Sequence, residues 1–198
     1  MESGAIGELR LIRGAFTFTL THRDDVRLVP SLGGGSLWDV GCYPVSFARH
    51  LAGVEPLEVF GWQAVGGGGV DITFAGLLRF PGEVIAQFDC GFRAPFRAHL
   101  EVVGSEGTLT VPQPFKPGVN ETVFLQRGSE RQAIPIPGQE LYVGEVEDLA
   151  DAILLGRTPR VTLADSRGNT AALTFLLRSA REGRPVLMST RNSVPISQ

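Results

Sequence analysis

Asp39 and Tyr43 stand four residues apart in the run Gly33-Gly34-Gly35-Ser36-Leu37-Trp38-Asp39-Val40-Gly41-Cys42-Tyr43-Pro44-Val45. On a helix that spacing places a carboxylate and a phenol on one face, about a turn apart. Such a pair can handle a proton. A carbinol carbon that gives up hydride needs its hydroxyl to lose a proton too, and a phenol beside a carboxylate is a workable acid/base for that transfer. The glycine triplet lets a ligand or a backbone come close and leaves the first N–H groups of the helix unpaired, which favours an anionic or hydroxyl-bearing ligand there. Gly34, Gly35 and Trp38, together with Arg27, are the candidate substrate- or cofactor-binding residues. Arg27 either reaches a cofactor or substrate oxygen or is a solvated loop arginine. The plainer reading of the pair is a capping aspartate and a half-buried tyrosine.

The elements that must position these residues are legible as patterns. Glu8 to Leu20 alternates Phe16, Phe18 and Leu20 with Thr17 and Thr19, a long half-buried strand. Thr21 to Gly35 has no useful period and reads as a loop. Ser36 to Leu51 places Leu37, Val40, Phe47, Ala48 and Leu51 at helical spacing with Gly53 as a stop, and Pro44 should kink or divide that helix. Short runs then follow: Val70 to Phe80, Glu83 to Phe92, Ala98 to Val103, Thr108 to Val111, Glu121 to Arg127 and Arg131 to Ile136. Turn residues between them predict consecutive antiparallel strands. Within Glu83 to Phe92, Val84, Ala86, Phe88, Cys90 and Phe92 share a core face, opposite Glu83, Gln87 and Asp89. Near Tyr142 a helix is predicted with Val146, Leu149, Ala150, Ile153 and Leu154 as its stripe and Gly156 as its end. A last helix runs from a candidate N-cap at Asp165 to Gly183, with Leu173, Leu176, Leu177 and Ala180 on one side. The predicted fold class is α+β: an open, mainly antiparallel β-sheet with helices packed on one face, over residues 1–188, followed by a frayed tail at 189–198.

Composition narrows the function classes. The chain has 198 residues, 43% of them hydrophobic and 20% charged, enough for one compact core. A net charge of -3 and a pI near 5.6 give no footprint for nucleic acid or for an anionic membrane. Lys116 is the single lysine and sits in an apparent exposed turn, so lysine chemistry has one candidate. Cys42 and Cys90 form no close-spaced metal pattern, no metal site is assigned, and both read as buried thiols rather than a bridge. The N-terminus lacks a basic stretch followed by an apolar one, and no run approaches a membrane span, so a cytoplasmic protein is expected.

The glycine-triplet segment resembles the "GGG, small residue, apolar, Asp, apolar, Gly, x, Tyr/His" helix of the glucose-fructose oxidoreductase and inositol dehydrogenase family, Gfo/Idh/MocA. Other pieces fall in that family's order. Ala5-Ile6-Gly7-Glu8-Leu9 resembles the lead-in to its first C-terminal-domain strand, and Leu51-Ala52-Gly53-Val54-Glu55-Pro56 the segment after the helix. Gly69-Val70-Asp71 with Leu77-Leu78-Arg79-Phe80-Pro81-Gly82 resembles its hairpin, and Val103-Gly104-Ser105-Glu106-Gly107-Thr108-Leu109 its "G-x-x-G" turn. The resemblance covers about residues 4 to 187. It implies the substrate and oligomerisation domain of a two-domain dehydrogenase for a sugar, polyol or trans-diol, with NADP or NAD held by an N-terminal Rossmann domain and a homodimer formed through the exposed sheet face. Tyr43 then resembles the acid/base and Asp39 the substrate-orienting carboxylate, nearest the glucose-fructose oxidoreductase, xylose dehydrogenase and dihydrodiol dehydrogenase branch.

Two departures qualify this. A dinucleotide fingerprint, G-x-G-x-x-G between a strand and a helix, is missing, since Gly66-Gly67-Gly68-Gly69 precedes a strand and reads as a mobile turn. The family's "E-K-P" lysine is missing as well. No cofactor is therefore expected to bind this chain tightly, nor is hydride transfer expected without a Rossmann domain, and the chain resembles a natural truncation or an excised domain. The alternatives are a stand-alone homo-oligomerising binding module without catalysis, and a fragment with no function of its own.

Overall fold

In the computed structural model, which describes residues 4–22 and 24–188, β1 (Leu9–Thr19) runs through the middle of a nine-stranded sheet. The remaining strands are β2 (Glu58–Val65), β3 (Asp71–Arg79), β4 (Ile85–Gly91), β5 (Arg93–Gly104), β6 (Thr108–Val111), β7 (Asn120–Arg127), β8 (Glu130–Pro137) and β9 (Val186–Leu187). Their order is β8-β7-β6-β5-β1-β4-β3-β2-β9. Every pairing is antiparallel except that of β1 with β4. The α+β class and the open, mainly antiparallel sheet are as the sequence predicts.

One feature of the layout corrects the simple meander. β4 and β5 follow each other in the chain but are not neighbours, because β1 lies between them, with Phe16 opposite Cys90 on one side and Ala98 on the other. Alternation fixes which face a strand buries. It carries no information about which strand sits alongside. The expected alternation itself holds in β4, where Ala86, Phe88 and Cys90 are buried while Ile85 and Gln87 are exposed.

Helices α1 (Cys42–Ala52) and α3 (Leu163–Glu182) pack on one face of the sheet. Two close approaches explain why small residues recur under them. A Cβ at Gly14 of β1 would meet the Pro44 ring of α1 at 2.7 Å, and one at Gly61 of β2 would lie 3.0 Å from the Leu176 carbonyl of α3. The core between the layers contains Ile12, Phe16, Leu37, Val45, Phe74, Leu78, Leu100 and Leu176. Helix α3 starts one turn before the expected cap: Thr162 is the N-cap, its hydroxyl accepting from the Asp165 backbone N–H at 3.1 Å. It ends at Gly183, as predicted.

Asp165 is taken up elsewhere. Arg49 of α1 has no solvent exposure, and its guanidinium donates to both Glu55 oxygens at 2.8 and 2.6 Å while lying 3.2 Å from Asp165. Burial alone would lower the Arg49 pKa, but the Glu55 hydrogen bonds and charge, followed by Asp165, outweigh it and hold the group above its ordinary value. Asn169 completes the link, accepting from Arg49 at 3.5 Å and donating to the Cys42 carbonyl at 3.3 Å.

The segment most at odds with expectation is α2 (Val143–Leu155), which buries none of its residues. Among the described residues, no helix is long and apolar enough to cross a membrane.

Replacing Arg49 by Met should lower stability by about 3 kcal/mol, the low end for orphaning buried charge because Glu55 and Asp165 keep some contact with water. Thermal unfolding of the variant checks this, and a change under 1 kcal/mol would show the network to be dispensable.

Candidate functional site

The candidate helix is divided, as Pro44 predicts, but in a particular way. Leu37–Gly41 forms a π-helical turn and α1 follows from Cys42. Pro44 has no N–H to offer Val40, and its ring excludes the Val40 carbonyl from a regular turn, so the turn ahead of it opens. A wider turn still leaves residues four apart on nearly the same side. Asp39 lies close enough to Tyr43 for its charge to act on the phenol.

The start of that turn differs from the open anion cradle expected of three glycines. Gly33 N–H donates to Pro30, Gly34 N–H to Val29 and Gly35 N–H to Arg27, at 3.0–3.1 Å for the first two and 2.9 Å for the third. Two further donors are also taken: Leu37 N–H and the Ser36 hydroxyl both donate to Asp71 Oδ2 at 2.7 Å. A buried carboxylate from the first residue of β3 thus occupies the place an anionic ligand was expected to take. Gly35 has φ of 128° and a Cβ there would run into the Asp71 carboxylate, while a Cβ at Gly34 would lie 2.6 Å from the Arg27 carbonyl. Both glycines serve the packing of the loop beneath the helix. Asp71 escaped the sequence reading because its partners lie 34 and 35 positions away. The available signal was a carboxylate inside the apolar run Val70-Asp71-Ile72.

Arg27 is neither a free ligand arginine nor a merely solvated one. Its Nε donates to Asp39 Oδ2 at 2.9 Å, and its Nη1 lies 3.3 Å from Asp25. The Asp39 charge is the main cause of a raised Arg27 pKa, and the Arg27 backbone N–H is the main cause of a lowered pKa at Asp25. The loop from residue 24 to 35 is therefore ordered around an Asp25–Arg27–Asp39 chain and two short 3-10 turns, Val26–Leu28 and Pro30–Leu32. The Gly66 to Gly69 turn backs this loop, since a Cβ at Gly68 would press on the Leu28 carbonyl at 2.6 Å. Trp38 is half-buried against the core.

Tyr43 is 40% exposed, with its ring edge-on to Phe16 at 5.4 Å and tilted against Phe115 at 5.7 Å. Burial of the ring raises the phenol pKa, and Cys42, Tyr142, Asp39 and Glu145 push the same way. The phenol is thus protonated at neutral pH. Burial likewise raises Cys42, to about 11, and holds Cys90 well above the usual thiol range; both are unpaired thiols. Tyr142 and Glu145, at the start of α2, also line a cleft of about 440 Å³ with Gly118, Glu121, Asp148 and Arg160. That volume lies within the range of small-molecule sites, about 300–1,000 Å³. A second depression, of about 400 Å³, lies on the opposite face of the sheet beside Trp62 and Leu77.

The chain is thus a helix-on-sheet domain that carries a carboxylate, Asp39, and a phenol, Tyr43, at one helix end. Residues 1–110 match the GFO/IDH/MocA C-terminal domain, and the chain belongs to that family. It is 29% identical over 191 residues to an uncharacterized oxidoreductase of Rhizobium meliloti, covering 92% of this chain and 57% of that one. It is 28% identical over 189 residues to a D-xylose 1-dehydrogenase (NADP(+)) of Haloferax volcanii, covering 94% and 58%. The aldose-aldose oxidoreductase of Caulobacter crescentus, solved with glycerol, superposes with a TM-score of 0.86 at 28% identity, covering 94% of this chain and 58% of that one. The chain therefore spans little more than half the length of the relatives it matches.

Gly33 and Gly35 both have positive φ, yet only Gly35 lacks room for a side chain. Gly33→Ala should cost about 1–2 kcal/mol, the strain of a left-handed alanine, and Gly35→Ala distinctly more, as measured by denaturant unfolding. Equal losses would mean that Asp71 does not hold the helix start.

Proposed function

We propose that the chain is the substrate-binding portion of an NAD(P)-dependent oxidoreductase acting on the CH-OH group of a sugar, polyol or trans-diol. Tyr43 exchanges the hydroxyl proton and Asp39, steadied by Arg27, orients the substrate. The observation that carries this reading is a half-exposed, protonated phenol next to an anchored carboxylate, on an aromatic floor of Phe16 and Phe115. The names of the relatives support the substrate class: a xylose dehydrogenase, a dTDP-sugar 3-reductase of Saccharopolyspora spinosa and a trans-1,2-dihydrobenzene-1,2-diol dehydrogenase of Mus musculus. NADP is favoured because the Haloferax relative is an NADP(+) enzyme.

Among the described residues, the glycine triplet does not form a dinucleotide cradle. The N–H groups of the glycine triplet and of Leu37 are all engaged within the chain, and no G-x-G-x-x-G fingerprint accompanies them. Activity of the short chain alone is accordingly not part of the reading; its share of the reaction is to bind the substrate and to hold or take the proton at Tyr43 Oη.

The signs follow from the raised phenol pKa. Carbonyl reduction uses the neutral phenol as donor, so its rate should hold through neutral pH and decline only above about 10, the ordinary phenol value; the oxidative direction uses the phenolate and should rise with pH toward the same limit. In an enzyme completed with a nucleotide-binding domain, Tyr43→Phe should lower kcat about 10²- to 10⁴-fold. Turnover near the parent value would remove Tyr43 from the chemistry.

A homodimer through the outer sheet face belongs to the same proposal, and would serve equally the alternative of a binding module without catalysis. Trp62 is 67% exposed there, with Leu77 and Ile85 each at 44%, an apolar group that a soluble monomer rarely displays. Sedimentation should give a dimer at micromolar concentration, and Trp62→Arg with Leu77→Glu should give a monomer. A monomeric parent chain would refute the assembly.

A further inference from the structure

Phe115 stands in residues 112–119, a stretch without strand or helix between β6 and β7, yet only 7% of it is exposed. Pro114 and Phe115 are the buried residues of that stretch. Pro112, Pro114 and Pro117 fix φ at their positions, so the loop is stiff and is pinned at one point. The pin is aromatic. The Phe115 ring stacks on Phe16 of β1, with centroids 5.0 Å apart and planes 16° from parallel, and it meets Tyr43 and Phe47 of α1 at 5.7 Å each. Residues four apart share one side of a helix, so Phe115 fills the angle between that side of α1 and β1.

We infer that Phe115 is a positioning residue for Tyr43: its ring confines the phenol to one rotamer, which fixes where the hydroxyl stands for proton transfer. Tyr43 is half-exposed, and an exposed side chain has several staggered rotamers open to it. A change at χ1 swings a phenol oxygen through several ångström, whereas proton transfer needs donor and acceptor within about 2.6–3.2 Å. Phe16 lies edge-on to Tyr43 at 5.4 Å and bounds it from the sheet; Phe115 bounds it from the loop. With both rings in place the phenol can still flip about its Cβ–Cγ axis, a motion that leaves Oη where it is. The backbone of α1 is already set, by the Arg49 network and by Pro44 seated on Gly14, so the side-chain torsions are the freedom that remains. Phe115 removes that freedom.

The inference rests on the proposed function in taking Tyr43 as the acid/base, and its test reads the two apart. Tyr43 and Tyr142 are the only tyrosines of the chain, so isotope-labelled tyrosine gives two sets of magnetic-resonance signals, assigned with Tyr142→Phe. Three-bond couplings to the Tyr43 β-protons should report a single χ1 rotamer in the parent chain and an average of rotamers in Phe115→Leu. In an enzyme completed with a nucleotide-binding domain, Phe115→Leu should lower kcat about 10- to 100-fold while KM changes little. Val59→Ala, a core truncation on β2, should lower the unfolding temperature but leave kcat near the parent value. A single rotamer in Phe115→Leu, or averaged couplings already in the parent chain, would overturn the inference whatever the kinetics. An equal loss of kcat in Val59→Ala would overturn it too, by reducing Phe115 to a stabilising residue. Averaged couplings in Phe115→Leu with unchanged kcat would overturn it from the other side, and Tyr43→Phe at parent turnover would then place the failure in the role given to Tyr43.

Discussion

A buried guanidinium holds the site together. Removing Arg49 from water costs several kcal/mol, and only a full set of acceptors with good geometry offsets that. Glu55, Asp165 and Asn169 supply the set, the first from the loop between α1 and β2 and the other two from α3. Because one member of the set, Asn169, also donates to the Cys42 carbonyl, the first residue of α1 is tied to α3. The placement of α1, and with it that of Tyr43, is thereby tied to a buried electrostatic network between α1 and α3. A Cβ at Gly168 would strike both Arg49 and Glu55, so the third helix can approach only with glycine at that position.

The other end of the site is governed by competition for a few N–H groups. Three successive glycines can serve a ligand or the protein itself, and here the protein wins: the loop from Arg27 to Gly35 closes on its own carbonyls, and Asp71 reaches across from β3 to cap the π-turn. The same closure brings Arg27 onto Asp39. A carboxylate held on one side by a guanidinium keeps a fixed position. The order of the loop thus comes from bonds within the chain itself.

The parts of this arrangement that were legible in the sequence are those whose signal is local. Strand β4 was readable because period-two alternation survives where one face is core and the other wet. Strand β2 (Glu58–Val65) was not, since Val59 and Gly61 on its inner face oppose Phe60 and Trp62 on its outer face, and apolar residues on both sides erase the period. Asp39 and Tyr43 were found by their spacing and by the family resemblance, whereas Asp71 and Arg49 act through partners that are distant in sequence. Asp165 was seen as a polar residue at a helix start, one turn late for the cap, because Thr162 offers the same chemistry and Asp165 is drawn off by Arg49.

Helix α2 marks a different boundary. Its stripe was read at the right residues and the helix is there, from Val143 to Leu155. What periodicity cannot state is the direction in which a stripe faces, because the hydrophobic effect is not directional and any apolar surface satisfies it. A stripe in a sequence asserts that a partner exists within reach. The sequence pattern is the same whether that partner is the sheet of the same domain or a surface beyond it, and only the lower exposure of Asp148, Asp151 and Ala152 on the opposite side tells the two apart.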